Sequence, residues 1–306
     1  MDIEDFKYNK KYKFFVPGLF IMSWTLIFVG PFTIPLLYQQ FCLLLLIHLT
    51  IKSIGILTMS IIGFSKALKI FRKAEEIKAE HREGKNSFNP EVYHAFIIPS
   101  YKEDEDLLAE TIGKLATHQG ACERYMVFLA MEGHEEGSDR KAEKLIKKFE
   151  GKFLLVGFTR HQIRKYEQKG KASNVSWCVE HLEELFFEKY KIPAEKVLLT
   201  IIDADSWVPE VYVREVNDHL HDERHLAQRE YFIYQPNQIF TRNIREVPIV
   251  TRVYDQVHGG MHSNNHFSLF DVTFPLSNYS LHFSLAKKIG WWDTCSDAIG
   301  EDFHMT

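Results

Sequence analysis

The sequence predicts an α/β domain with a mixed, mostly parallel sheet and helices on both faces, preceded by an N-terminal transmembrane helical hairpin. Three observations predict it. From about residue 91, apolar runs of strand length alternate with segments of helical period, the signature of a parallel sheet covered on both sides. Before that, Phe14 to Leu37 is nearly free of charge and Phe41 to Phe64 is mostly apolar. Each exceeds the ~20 residues that cross a bilayer. Third, the 306 residues are 45% hydrophobic and 25% charged, enough for one full core plus a membrane segment. The expected domains are 1–64 as the hairpin, 65–90 as an amphipathic interfacial helix and linker, and 91–306 as the α/β domain.

Only Tyr38-Gln39-Gln40 separates the two apolar segments, so a tight turn is expected there. Lys7, Lys10, Lys11 and Lys13 precede the first segment, and Lys66, Lys69, Arg72 and Lys73 follow the second. By the positive-inside rule both flanks are cytosolic, giving a multi-pass protein with its α/β domain in the cytosol. His48 and Lys52 share one face of the second segment, an expensive placement in lipid. Ser65 to Glu83 is basic and amphipathic and suits a membrane-surface helix.

Strands are predicted at His94 to Ile98, Tyr125 to Met131, Phe153 to Phe158 and Val197 to Ile202. Helices are predicted at Glu103 to Thr117, Asp139 to Phe149 and Lys171 to Glu188. Beyond about Glu230 the rhythm changes: a strand at Tyr231 to Tyr234, helices at Arg242 to His266 and Tyr279 to Lys288, then a turn at Gly290 to Asp293. The chain stops mid-element at Glu301 to Thr306, so a fragment is expected. Four cysteines without CxxC or zinc spacing read as free thiols, and a net charge of -4 argues against a nucleic-acid binder.

In parallel sheets ligands sit beyond the carboxyl ends of the strands. That draws attention to Pro99 to Lys102, Glu132-Gly133 and Asp203 to Asp205. Asp203 and Asp205, two apart in extended chain, can face one site and hold a hard divalent cation. Equally, Asp205 or Ser206 could cap a helix starting near Pro209. Gly170 to Asn174 opens a helix whose amide groups, with Lys171, could take a phosphate, or it is an ordinary capped start. Glu301-Asp302 could supply a general base, or another cap. His258, His262 and His266 are spaced four apart, but Gly259-Gly260 weakens that helix, and structural or surface histidines are the plainer reading.

Taken in order, IIPSYKEDEDLLAETI, FLAMEG, GKASN, IIDADS and YSLHFSLAKKIGWWDTCSDAIGEDFHM resemble a family-2 glycosyltransferase of the GT-A fold. The resemblance is to the membrane-embedded branch that includes cellulose and hyaluronan synthases, and to a eukaryotic group of glycosyltransferase 2-like membrane proteins. It spans about Tyr93 to the end. It implies nucleotide-sugar contacts from Pro99, Ser100, Tyr101, Glu103, Glu132, Lys171 and Asp203. It also implies Mg²⁺ or Mn²⁺ on Asp203 and Asp205, with Asp302 of the Glu301-Asp302 pair as catalytic base, and acceptor contacts near Trp291 and Trp292. Lys102 stands where the family has Asn, and Ser176 where a second Asn is usual. The family's Q-x-x-R-W segment and later membrane helices are expected past Thr306.

The reading is therefore an inverting hexosyltransferase. It moves a sugar from a UDP-sugar to a polysaccharide or lipid-linked acceptor at a membrane. The competing reading is a catalytically inactive, nucleotide-binding membrane scaffold of the same fold.

Overall fold

The computed structural model describes residues 14–85, 88, 92–165, 167, 169–224, 228–239, 242, 244–265 and 277–294. The chain divides into two compact units, 1–62 and 63–306.

The described residues of the first unit are helical. Helix α1 is Phe15–Thr33, and α2 starts at Pro35 and runs to Arg82, entering the second unit. The expected turn at Tyr38 to Gln40 is corrected, because those residues are helical and the break falls at Ile34. Proline explains the position. Pro35 cannot donate to the helical ladder and disfavours helical backbone at the residue before it. Pro35–Arg82 is long and apolar enough to cross a membrane, and Pro17–Thr33 is a shorter apolar helix. The hydroxyls of Ser23, Thr25, Thr50, Ser53 and Thr58 each donate to the carbonyl four residues earlier. Such internal bonding hides polar atoms that lipid could not satisfy.

The second unit is built on a six-stranded sheet in the order β3-β2-β1-β4-β6-β5. Its strands are β1 Tyr93–Ser100, β2 Tyr125–Glu132, β3 Leu155–His161, β4 Val197–Ile201, β5 Ile233–Tyr234 and β6 Tyr279–His282. The first four run parallel, while β6 is antiparallel to both β4 and β5. Helices α3 Glu105–Leu115, α4 Ala121–Arg124, α5 Ser138–Lys148, α6 Lys171–Leu182 and α7 Glu210–Leu220 follow in the crossovers. Then come α8 Ile249–Asn265 and α9 Phe283–Ile289. This is the α/β class that the alternating pattern predicted.

Side chains of β1 alternate between the two faces of the sheet. Ala95 and Ile97 join a core with α6 and α9, while Phe96 and Ile98 join one with α3 and α5. Nearly every residue of β1 and β2 is buried, as central parallel strands require.

One expectation about the sheet changes. Tyr279 to His282, read as helix, is strand. It covers the free edge of β4, and Thr200 Oγ1 lies 2.9 Å from Ser280 Oγ across the pair. The stretch expected as a membrane-surface helix is helical, and several of its polar groups engage α7. Lys73 pairs with Asp218 (2.8 Å), Glu80 with Arg214 (2.8 Å) and His81 with Glu210 (2.8 Å). Arg214 also donates to Glu210 and Gln119, so this buried pair has its hydrogen bonds met.

Candidate active site

The chain order places β1 between β2 and β4, so successive connections depart to opposite sides of β1. A ligand crevice forms at such a reversal, beyond the carboxyl ends. A cleft of about 580 Å³ lies there, lined among others by Pro99, Ser100, Tyr101, Glu103, Glu132, Lys171, Asp203 and Asp205. Eight sequence candidates thus meet in one place. Leu107, His134 and Lys169, which the sequence did not single out, also line it, as does Asn174 of the GKASN segment.

The loop after β1 is held by its own carboxylates. Ser100 Oγ donates to Glu103 Oε2 at 3.0 Å, and the Tyr101 amide donates to the same oxygen. Glu103 therefore latches the loop as well as facing the cleft. Lys102 has φ +67°, in the left-handed region, and its amide donates to Glu135 Oε2 at 2.8 Å. Lys holds that backbone at a greater cost than Asn would. Lys141 ties the loop to α5 by donating to Glu135 (2.6 Å) and to the Glu103 carbonyl (2.9 Å).

Lys171 opens α6, as predicted. Its ammonium lies 2.8 Å from Asp203 Oδ1 and 3.1 Å from the Ser277 carbonyl. One turn on, Asn174 is buried and donates to the Ala130 carbonyl at 2.6 Å. Its Oδ1 has no hydrogen-bond partner among the described residues. Its signal lies in the GKASN segment, three residues after Lys171.

Asp203 and Asp205 sit on the turn that leaves β4. The Asp203 amide donates to Asn278 Oδ1 at 2.9 Å, and the Ser206 amide to the Asp203 carbonyl at 3.0 Å. The helix-cap alternative is not realised. Pro209 occupies the cap position of α7, and Ser206 Oγ accepts from Asn278 instead, at 3.1 Å. Thr111 holds the turn from behind through the Ala204 carbonyl, 2.6 Å away. Among the described residues no three His, Cys, Asp or Glu side chains form a full metal cage. Two carboxylates in an open cleft suit an ion such as Mg²⁺ or Mn²⁺, which completes its shell with phosphate and water oxygens.

Glu132 ends β2 and is buried, 4% exposed. Its Oε2 lies 3.1 Å from His161 Nδ1 and 3.3 Å from His134 Nδ1. Gly133 follows because nothing larger fits: a Cβ there would stand 2.2 Å from the His161 carbonyl oxygen. The His134 and Tyr101 rings lie 4.9 Å apart at the mouth.

Trp292 is corrected as an acceptor residue. It is core, 3% exposed, with its indole Nε1 donating to Tyr279 Oη at 2.5 Å. Its neighbour Trp291 packs on Phe283 with φ +69°. Trp291 follows Gly290, which ends α9 at φ +83° in a Schellman-type cap. Glu301 and Asp302 lie outside the described residues, as do Cys295 and His266. His258 stacks on Tyr254.

Residues 198–306 match the family model described as Glycosyl transferase family group 2. The family-2 glycosyltransferase resemblance therefore holds over the C-terminal part of the chain, without separating out the membrane-embedded branch. No curated protein matches the chain significantly. Similar solved structures include a mannosyltransferase, PcManGT from Pyrobaculum calidifontis, in complex with GDP-Man and Mn²⁺. It is 13% identical with a TM-score of 0.46, over 82% of this chain and 61% of that one. They also include TarS 1–349 of S. aureus in complex with UDP-GlcNAc, 10% identical with a TM-score of 0.42, over 70% of this chain and 52% of that one. The chain thus spans about three fifths and half of those two proteins.

Proposed function

We propose that this chain carries a membrane-anchored, cytosol-facing glycosyltransferase that moves a sugar from a UDP-sugar to a glycan or lipid-linked hydroxyl, inverting the anomeric centre. The observation that carries the reading is the meeting of Lys171, Asp203 and Asp205 in one cleft with Glu132 and the loop after β1.

The division of labour follows from the chemistry. Breaking a bond from an anomeric carbon to a diphosphate builds negative charge on the leaving group. Lys171, at the start of α6 where amide groups point outward, meets that charge. Asp203 and Asp205 would hold Mg²⁺ or Mn²⁺, which when bound supplies positive charge to the same diphosphate. Tyr101 and Glu132 address the base of the nucleotide. Asp302 accepts the proton of the attacking hydroxyl. Trp291 remains the acceptor candidate, Trp292 having gone to the core. Helix α2, and α1 with it, anchors the enzyme in a bilayer.

The test is a screen of UDP-sugars with the purified chain, reading UDP release with Mg²⁺, Mn²⁺ or chelator. Metal-dependent release from at least one donor is expected. Binding of UDP without any turnover, in every donor and with acceptor glycans added, would leave the inactive scaffold instead.

A further inference from the structure

We infer that His161 is a positioning residue for Glu132, clamped as a doubly protonated imidazolium between Glu132 and Glu167, and that it sets how the nucleotide base is met. The inference rests on the proposed function, which assigns Glu132 to the base.

Register places the pair. Glu132 and His161 are opposed at the last rung of the β2–β3 ladder, where both strands reach the cleft end of the sheet. His161 Nδ1 lies 3.1 Å from Glu132 Oε2, and Nε2 lies 3.2 Å from Glu167 Oε2. The His161 side chain is fully buried, and the two carboxylates are 5% and 4% exposed. Each ring nitrogen thus faces an acceptor. Against two ionised carboxylates, a neutral imidazole with its single N–H would set lone pair against lone pair at the other contact. Only the imidazolium donates to both. No water can take over the failed contact, because the ring is closed off from solvent.

The groups around the clamp support it. The Arg164 amide fixes Glu167 by donating to its Oε2 at 2.7 Å. The Arg164 guanidinium covers Trp177 at 4.8 Å, and Trp177 in turn packs on His161 at 5.8 Å and on His181 at 4.4 Å. His134 reaches Glu132 from the cleft side. The Gly133 amide bonds the His161 carbonyl at 3.0 Å, so backbone and side chain lock together. Burial works against charge on His161, but the hydrogen bonds and charges of Glu132 and Glu167 outweigh it and raise its pKa. Two carboxylates, one of them on the cleft wall, give the ring a charge-dependent hold on the site.

The experiment uses the full chain in detergent, with UDP as the probe. Ring ¹⁵N NMR of labelled histidine should find both His161 nitrogens protonated at pH 7. A neutral ring there overturns the inference. UDP affinity by calorimetry should fall as pH rises through the His161 titration. His161→Gln should raise the UDP Kd about tenfold, the loss of one charge-assisted hydrogen bond. In a Glu132→Gln background the same change should add little, and an undiminished second loss overturns the coupling. If His161→Gln does not fold, Glu167→Gln serves in its place. It should lower the ring's titration point and weaken UDP binding, and no change in either refutes the clamp. A wild-type chain that binds no UDP refutes the nucleotide reading itself. The ring's protonation state then judges the clamp alone.

Discussion

Replacing Gly133 with alanine tests how the cleft wall is built. The added Cβ would lie 2.2 Å from the His161 carbonyl oxygen, a backbone atom that cannot swing away. Ordinary contact begins near 3.4 Å, so β2 and β3 must part by about 1 Å at their ends. That stretches the Gly133–His161 hydrogen bond and pulls Glu132 from His161. Overpacking of this size costs about 1–3 kcal/mol, and the weakened hydrogen bond adds about 1. Gly133 is not in the left-handed region, so the cost is contact rather than backbone strain. Gly113 is the matched control. It sits inside α3, and its Cβ would meet only the Phe149 ring at 3.9 Å. Gly113→Ala should gain roughly 0.5–1 kcal/mol from helix propensity. Thermal unfolding of the purified chain should show Gly133→Ala melting roughly 5–15 °C lower and Gly113→Ala slightly higher. Equal melting of the two variants would refute the steric account.

The remaining predictions concern charge. Asp205→Ala should remove the metal-dependent part of UDP binding in calorimetry, and full retention would refute the metal role. Asp302→Asn should abolish sugar transfer, at least about 10²-fold, while UDP binding stays nearly intact; unchanged turnover removes Asp302 as base. Acid should destabilise the fold through two buried imidazoles. Burial pushes His94 down to about 3 and His118 down to about 4. Both folded values lie below the unfolded ~6.5, so stability is full above that pH and falls as pH drops toward 4. The urea midpoint should therefore decline between pH ~6.5 and ~4, and His94→Phe, if it folds, should flatten part of that decline. A pH-independent midpoint would contradict it.

Much of the cleft was legible because its residues sit at strand ends, and strand ends can be read from apolar runs. The run Val197 to Ile202 announced β4 and hence the position of Asp203 and Asp205. What failed was whatever depends on a partner far along the chain. Tyr279 to His282 alternates apolar and polar residues as a strand does, but it runs straight into α9, and only the open edge of β4 decided it as strand. Trp292, an acceptor contact by the resemblance, packs inside instead, its indole bonded to Tyr279. Ser206 could have capped a helix, but Asn278, seventy-two residues on, took its hydroxyl.

The sequence by itself determined the parts that local physics controls. Long apolar runs require helices satisfied within themselves, buried parallel strands require unbroken apolar stretches, and GKASN must open a helix. Only the tertiary structure decided the electrostatics of the site. Lys171 faces Asp203 in the open cleft and His161 bridges Glu132 to Glu167 in the interior, because groups separated in the chain were brought within hydrogen-bond range. Interaction at that range depends on distance in space, and sequence spacing carries no record of it.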